Sequence, residues 1–201
     1  NILLFVVVLV IGLAAIEMML RIRHMAMDNY DIEMWKYANE LKVISENPTL
    51  GHEHRPSSKA VLQKVEIRIN SLGMRGGEVG NAKKGVRRIL FLGSSLTLGW
   101  GVLEEETTTM VLQGLFDENG QSVEVLNAGI GNYNTVRQVE LFISRLTALR
   151  PTDIVVQFFV NDAEQLAAGS NNIILRNSQL AVMGWIVTNR LLNPGGEDAL
   201  V

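Results

Sequence analysis

The chain has 201 residues, no cysteine, three histidines and a net charge of −3, with 18 Lys and Arg against 21 Asp and Glu. The lack of cysteine excludes disulfides, thiol nucleophiles and cysteine-ligated metal sites. A slightly acidic chain without a basic stripe is unlike a nucleic-acid-binding protein, so we expect no nucleic-acid partner. Because His24, His52 and His54 are the only histidines, any site that needs one must use these three.

The first 20 residues are apolar and contain a single charged side chain, Glu17. A helix of this length spans roughly 30 Å, the thickness of the hydrocarbon core of a bilayer. We therefore predict a transmembrane helix over residues 1–20 that contacts lipid through residues 2–20. The alternative is a signal-peptide core, whose apolar stretch is usually shorter, about 7–15 residues. Arg21 and Arg23 alone would favour a cytoplasmic location for the residues that follow the apolar segment.

Residues 21–46 are predicted to form a juxtamembrane amphipathic helix, because apolar residues recur there at steps of three and four. An Asn-Pro pair at 47–48 is expected to end it. Residues 47–86 are expected to form an extended linker. One half-buried strand is predicted within this linker, at 65–69, where apolar and polar residues alternate.

Residues 87–201 have a different pattern, in which short apolar segments alternate with segments of helical length. Strands are predicted at 88–92, 123–126 and 153–160, and helices at 106–119 and 134–149. Such alternation is typical of a parallel sheet built from right-handed βαβ units, so the predicted fold class is α/β. A mostly apolar helical segment follows at 173–192, which we expect either to cover the core or to lie on a membrane or a partner.

Each predicted strand ends in a cluster of small polar residues, at 93–95, 127–132 and 161–162. Taken alone, each cluster has a plain explanation as a helix cap or a turn. In an open parallel sheet, however, ligands bind at the carboxyl ends of the strands, where the three clusters would meet. A serine at a strand-to-helix turn, with backbone and asparagine N–H donors beside it, is suited to acyl transfer.

These segments resemble the SGNH/GDSL hydrolase family, in particular its membrane-anchored bacterial members. Residues 89–102, 127–135 and 159–162 are similar to the first three sequence blocks of that family, in order and with its spacing. Residues 47–51 and 69–76 resemble the strand and turn that precede the domain. The resemblance implies a flavodoxin-like three-layer α/β fold, and ester hydrolysis or acyl transfer as the activity.

The resemblance also implies roles for individual residues. Ser95 stands at the nucleophile position and Asn161 at the position of the oxyanion asparagine. Asn132 would donate to the oxyanion through its backbone N–H. No cofactor and no metal ion are expected.

Several positions depart from the family pattern. Ser94 stands where an aspartate is usual, and Asn132 and Val160 stand where glycines are found. Asparagine tolerates a left-handed backbone better than most residues. The Asp-x-x-His block that supplies the family's general base has no counterpart, because no histidine follows His54. We interpret His52 and His54 as surface histidines rather than as a substitute base or a metal site.

Two functional interpretations follow. The first is a membrane-anchored serine esterase or O-acyltransferase whose histidine lies beyond Val201, with an acyl ester as its substrate. The second is a catalytically inactive, SGNH-like accessory subunit of a larger complex, with other membrane protein subunits as partners. A dinucleotide-binding module is excluded because Asn134 stands where its motif needs glycine.

The resemblance also predicts an incomplete domain in the bacterial inner membrane. The family core has about five parallel strands, and three are recognisable here. We therefore expect a partial sheet with an exposed apolar edge. The resemblance favours a single-pass protein whose globular domain, residues 87–201, is periplasmic.

Overall fold

The computed structural model describes residues 1–26, 29–163 and 172–192. The chain divides into a helical unit, residues 1–36 and 169–201, and an α/β unit, residues 37–168. The helices are α1 (Ile2–Ala26), α2 (Tyr30–Leu41), α3 (Ser95–Leu98), α4 (Thr108–Glu118), α5 (Thr135–Leu141), α6 (Ile173–Asn177) and α7 (Gln179–Leu192). The strands are β1 (Lys42–Ile44), β2 (His52–His54), β3 (Ser58–Leu62), β4 (Val65–Ile69), β5 (Arg87–Gly93), β6 (Val123–Gly129) and β7 (Asp153–Gln157). Shorter helical turns are formed by Glu104–Glu106, Phe142–Leu146, Thr147–Leu149 and Val160–Ala163.

Helix α1 contains the apolar N-terminal segment and continues six residues past the predicted end at residue 20. Within the described part of the chain, its segment Ile2–Met25 is the one helix long and apolar enough to cross a membrane, and the apolar 18-residue stretch within it is not buried in the protein. Arg23 lies in its last turn, where a positive charge is stabilised by the carboxyl end of the helix dipole.

Glu17 has a structural role despite its apolar surroundings. Its carboxylate accepts hydrogen bonds from the backbone N–H groups of Gln179 (3.0 Å) and Leu180 (2.9 Å) and from the hydroxyl of Ser178 (2.9 Å). Arg21, one turn along α1, donates to the same carboxylate at 2.8 Å. A side chain of α1 therefore caps the first turn of α7, whose N–H groups have no partner within that helix.

The predicted helical segment 173–192 is two helices, α6 and α7, with Ser178 between them. Val182 and Ile186 of α7 are buried against Ile32 of α2, with Trp35 and Trp185 packed beside them. Because this apolar face meets α2, the segment belongs to the helical unit. The boundary expected for an α/β domain over residues 87–201 is corrected accordingly.

The predicted juxtamembrane helix is shorter than residues 21–46. Helix α2 ends at Leu41, and the next three residues form β1, which pairs antiparallel with β2. In this pairing Val43 faces Glu53 and Ile44 faces His52. The β-branched residues Val43 and Ile44 favour an extended backbone, so the helix gives way to a strand at this point.

Residues 47–86 are folded rather than an extended linker. The predicted strand at 65–69 is confirmed as β4, with Ile67 and Ile69 buried. Its antiparallel partner β3 was not predicted. The two are joined by Gln63 and Lys64, whose φ angles are 49° and 66°, as in the two-residue turns that match the twist of hairpin strands.

The three predicted strands of the α/β unit form a parallel sheet in the order β6-β5-β7. One face, which includes Ile89 and Phe91, packs against Leu112 and Phe116 of α4. The other face includes Leu90, Leu92 and Leu126 and packs with Leu141 and Leu146. Helices therefore cover both faces of the sheet, which is the arrangement expected for βαβ connections.

The outer strand β7 is exposed, as expected for a partial sheet. It ends at Gln157, three residues before the predicted end. Ile154 and Val156 remain 43% and 44% exposed, although their sequence is typical of a buried strand. In the described part of the chain the sheet has three strands and an apolar edge.

Candidate functional site

The register of the sheet brings the three polar clusters to one edge. Gly93, at the end of the central strand β5, is aligned with Gly129 of β6 and Gln157 of β7. Ser95 follows Gly93 by two positions, and Asn132 follows Gly129 by three. The strand ends that precede the predicted clusters therefore lie side by side at the carboxyl edge of the sheet.

Ser95 is the first residue of α3, a single turn of helix at the end of β5. The residue is half-buried, and none of the described residues hydrogen-bonds its hydroxyl. Ser94 precedes it as the helix cap but makes no capping hydrogen bond, and its Oγ is buried without a partner in the described part of the chain. The strand-to-helix turn thus presents one partly accessible hydroxyl beside a buried one.

Two glycines allow this turn to lie directly against the sheet. A Cβ on Gly129 would overlap the backbone of Thr97 and Leu98, and one on Gly93 would overlap the side chain of Thr97. Backbone atoms cannot move aside as the end of a flexible side chain can. The close approach of α3 to the strand ends therefore depends on glycine.

Asn127 and Thr97 fasten the turn to both neighbouring strands. The Asn127 amide donates to the carbonyl of Thr97 (2.7 Å) and to Thr109 (3.1 Å), and its oxygen accepts from the N–H of Gly129 (3.0 Å). The Thr97 hydroxyl donates to Gln157 at 2.8 Å. Sequence reasoning placed Asn127 in a polar cluster but did not find this role.

Arg75 holds the other end of the turn. Its buried guanidinium donates to the carbonyls of Leu98 (2.7 Å), Gly99 (2.5 Å) and Val102 (2.8 Å). Its own N–H donates to the carbonyl of Asn127 at 3.1 Å. These carbonyls follow a short helix and lack intrahelical partners, so a cation among them is stabilising. Arg75 lies in the predicted linker, and sequence reasoning gave it no role.

Asn132 adopts the left-handed conformation expected of it, with φ of 63°. The preceding residue, Gly131, is held through both of its backbone groups. Its N–H donates to the Tyr37 hydroxyl (2.9 Å), and its carbonyl accepts from Nε2 of His52 (3.2 Å). A Cβ on Gly131 would overlap the ring of Tyr37. The loop that carries Asn132 is thus clamped by residues of α2 and β2.

The expectation that His52 and His54 lie at the surface is wrong. His54 is fully buried, its Nδ1 donates to the carbonyl of Gly73 (2.9 Å), and its Nε2 accepts from the hydroxyl of Tyr37 (2.7 Å). His52 is half-buried and donates to Gly131, as described above. Backbone carbonyls and a tyrosine give both imidazoles hydrogen-bond partners, as groups withdrawn from water require.

Burial lowers the pKa of His54 to about 4 and that of His52 to about 2, and the nearby Lys42 acts in the same direction. The Lys42 ammonium lies 4.4 Å from the centre of the Tyr37 ring, and burial lowers its pKa well below its ordinary value. Both histidines are therefore neutral at pH 7, which agrees with the donor and acceptor roles of their nitrogens.

The third cluster is anchored by Asp162. Its buried carboxylate accepts from the Gln138 side chain (3.0 Å) and from the backbone N–H of Phe159 (3.2 Å). The side chain of Asn161 lies outside the described residues, so its predicted oxyanion role stays a prediction.

Two cavities occur in the α/β unit. One of about 70 Å³ is lined by Arg75 and Asn127, and one of about 450 Å³ is lined by His54 and Ile130. Ser95 and Asn132 line neither of them. Among the described residues, no group of three His, Asp or Glu side chains could hold a metal ion.

Comparison with known proteins adds a structural likeness. No family model matches the chain, and no curated protein matches it. Among solved structures, the chain is similar to a mutant of the esterase AlinE4, with 24% sequence identity and a TM-score of 0.36. The alignment covers 40% of this chain and 44% of that one, so the chain matches less than half the length of that structure.

Proposed function

We propose that the chain is a membrane-anchored, SGNH-hydrolase-like protein whose α/β unit is a scaffold for ester hydrolysis or O-acyl transfer. The observation that carries this proposal is the position of Ser95. It begins a helical turn at the carboxyl end of the central strand, on the edge to which the Asn132 loop also belongs. In this proposal α1 is the single span, and the α/β unit lies on the periplasmic side of a bacterial inner membrane.

The chemistry follows from the groups at this edge. A base takes the hydroxyl proton of Ser95 as its oxygen attacks the carbonyl carbon of an ester, the alkoxide leaves with that proton as an alcohol, and an acyl-serine forms. Water or an acceptor alcohol then cleaves the acyl-serine. Backbone N–H groups of Ser95 and Asn132 and the side-chain amide of Asn161 donate to the oxyanion in this proposal. Arg75 and Asn127 act as positioning residues, because they fix the turn that carries Ser95.

The scaffold needs a base, and none of the described residues accepts a hydrogen bond from the Ser95 hydroxyl. His54 has both ring nitrogens engaged with Gly73 and Tyr37, so it is not free to take the proton of the serine. We propose that a histidine beyond Val201 supplies the base. Without one, turnover by a serine enzyme falls by a factor on the order of 10⁴–10⁶.

Imidazole can replace a missing base, which makes the proposal testable on this chain. The full chain in detergent is incubated with p-nitrophenyl acetate, with and without imidazole, and acetylation of each serine is measured by peptide mass spectrometry. We expect imidazole to increase acetylation at Ser95 at least tenfold more than at the exposed Ser71, because in this proposal oxyanion donors lie beside Ser95 and not beside Ser71. The Ser95→Ala chain is the control for acetylation elsewhere on this edge.

Equal acetylation of Ser95 and Ser71 in the folded chain would contradict the acyl-transfer proposal. That outcome would favour the second candidate, an inactive accessory subunit that binds other membrane protein subunits. The observation that favours this candidate is the buried, unpartnered Oγ of Ser94, within the described part of the chain, where the resemblance expects a carboxylate. An unpartnered buried hydroxyl costs stability and orders no neighbour.

A further inference from the structure

The helical unit has an apolar surface beyond α1. Two short stretches of α6 and α7 expose large apolar side chains, and two of these, Leu191 and Leu192, are 76% and 74% exposed. The complete set of large apolar side chains exposed on these two helices is Ile173, Ile174, Val187, Leu191 and Leu192. Val187 and Leu191 are four residues apart, so they share one face of α7. The opposite face, with Val182 and Ile186, is the one packed on α2.

Three separate contacts attach the junction of α6 and α7 to the last three turns of α1. Glu17 caps α7, as described above. Arg21 donates to the carbonyl of Asn177 at 2.8 Å. His24 Nδ1 lies 2.8 Å from the side-chain oxygen of Gln179, in a buried hydrogen bond. The start of α7 is therefore fixed next to residues 17–24 of α1.

The position of these contacts along α1 sets the depth of α7 in a bilayer. The 25 residues of α1 measure about 37 Å, whereas the hydrocarbon core is about 30 Å thick. Charged side chains avoid that core, so Arg21 and Arg23 mark its boundary and Glu17 lies about one turn inside it. A helix capped by Glu17 must then begin at the boundary between lipid tails and headgroups.

We propose that α6 and α7 lie in this interfacial layer and bury their exposed apolar side chains among the lipids. This inference rests on the proposed membrane span of α1. An amphipathic helix in an interface inserts its apolar face about 5–10 Å, and the Val187 and Leu191 face of α7 is suited to that depth. Trp35 and Trp185, two of the three tryptophans, belong to this unit, and tryptophan is enriched at membrane interfaces.

The lack of cysteine allows a direct test by single-cysteine labelling of the full chain. Leu191→Cys and Val187→Cys chains are labelled with bimane and reconstituted in vesicles of phosphatidylcholine and phosphatidylglycerol. The quencher is a nitroxide attached to a lipid near the headgroup. Both positions are exposed, so the substitutions leave the packing on α2 intact.

Two matched chains bracket the result. Leu9→Cys lies in the middle of the proposed span and reports whether α1 is in the bilayer. Ala82→Cys is an exposed position of the α/β unit and reports an aqueous environment. For Leu191→Cys and Val187→Cys we expect several times more quenching than for Ala82→Cys, and a blue-shifted emission.

Quenching at 187 and 191 equal to that at 82 would overturn the inference, provided that Leu9→Cys is in contact with lipid tails. This is the outcome expected if a protein partner or a second copy covers the face instead. A second measurement places the nitroxide on the lipid tail. If this quencher leaves Leu9→Cys unquenched, the proposed span fails, and the inference fails with it. The Leu9→Cys chain therefore separates the two failures.

Discussion

The helical unit and the α/β unit use apolar residues in opposite ways. In α1, large apolar side chains such as Leu3 and Phe5 are exposed, and the apolar 18-residue stretch of this helix is not buried. In the α/β unit, Leu90 and Leu92 are fully buried between the sheet and its helices. Apolar composition alone therefore does not reveal where a core is, because the solvent that each unit meets decides which side its apolar groups face.

Polar side chains in both units hold backbone segments in place, but they hold different kinds of segment. In the α/β unit, buried Asn127 and Arg75 fix turns that carry the candidate site. In the helical unit, Glu17 accepts hydrogen bonds from the N–H groups at the start of α7, a helix that is distant in sequence. In both units, these three side chains bond to backbone groups that the local fold leaves without partners.

The largest expected contrast comes from placing the same methyl group in each unit. Gly129→Ala should lower the free energy of unfolding by about 4 kcal/mol or more, because the new Cβ overlaps the backbone of Thr97 and Leu98. Gly12→Ala in α1, where nothing lies within 4 Å of the new Cβ, should change it by less than about 1 kcal/mol. Urea unfolding in detergent, followed by circular dichroism, measures both.

A small effect of Gly129→Ala would show that the turn at Ser95 can move away from the sheet. In that case the described packing at the carboxyl edge would not be what fixes the serine. Gly114→Ala in α4, which also meets nothing within 4 Å, is the control within the α/β unit.

Acid should loosen the α/β unit by a smaller amount. His54 has a pKa of about 4 in the fold and an ordinary value of 6.5, so between these values only the unfolded chain binds the proton. The free energy of unfolding should therefore fall as pH decreases from about 6.5 to about 4, by about 3 kcal/mol for this group. Hydrogen exchange at several pH values, corrected for intrinsic rates, measures the loss in each unit.

A matched variant identifies the group responsible. His54→Gln should be less stable at pH 7. Its stability should also depend less on pH, because residue 54 no longer titrates and only the contribution of His52 remains. An unchanged dependence in this variant would assign the effect to other groups.

The smallest expected effects concern the two helix caps. Glu17→Ala removes the acceptor for two N–H groups of α7, and it should weaken that helix by up to about 2 kcal/mol. Thr107→Ala removes a single acceptor at the start of α4, for the N–H of Met110 at 3.3 Å, and it should cost about 1 kcal/mol. Hydrogen exchange of the amides in each first turn compares them. If Glu17→Ala left α7 unaffected, α1 would not hold that helix in place.

Strands β4, β5 and β6 could be predicted because their signal is local. Alternation at 65–69 and the apolar segments that begin near 88 and 123 belong to the residues themselves. Strand β2, with the sequence His-Glu-His, carries no such signal, and it forms only because β1 pairs with it. Strand β7 ends early, at Gln157, where the side chain of Thr97 meets it.

The candidate site was predicted in part for the same reason. Ser95 and Asn132 follow strand ends, and their convergence required only a parallel sheet. Arg75 and Tyr37 act on carbonyl and N–H groups far away in sequence, and no local pattern reports such contacts. The burial of His54 likewise depends on Gly73 and Tyr37, which the sequence does not place beside it.

The hydrogen bond from His52 to Gly131 also affects the direction of the Asn132 backbone N–H. The carbonyl of Gly131 and the N–H of Asn132 belong to one planar peptide unit, in which they point in opposite directions. Because Nε2 of His52 fixes the carbonyl, it also fixes the orientation of that plane and hence the vector of the Asn132 N–H. His52 therefore orients the proposed oxyanion donor by binding the opposite edge of the same peptide unit.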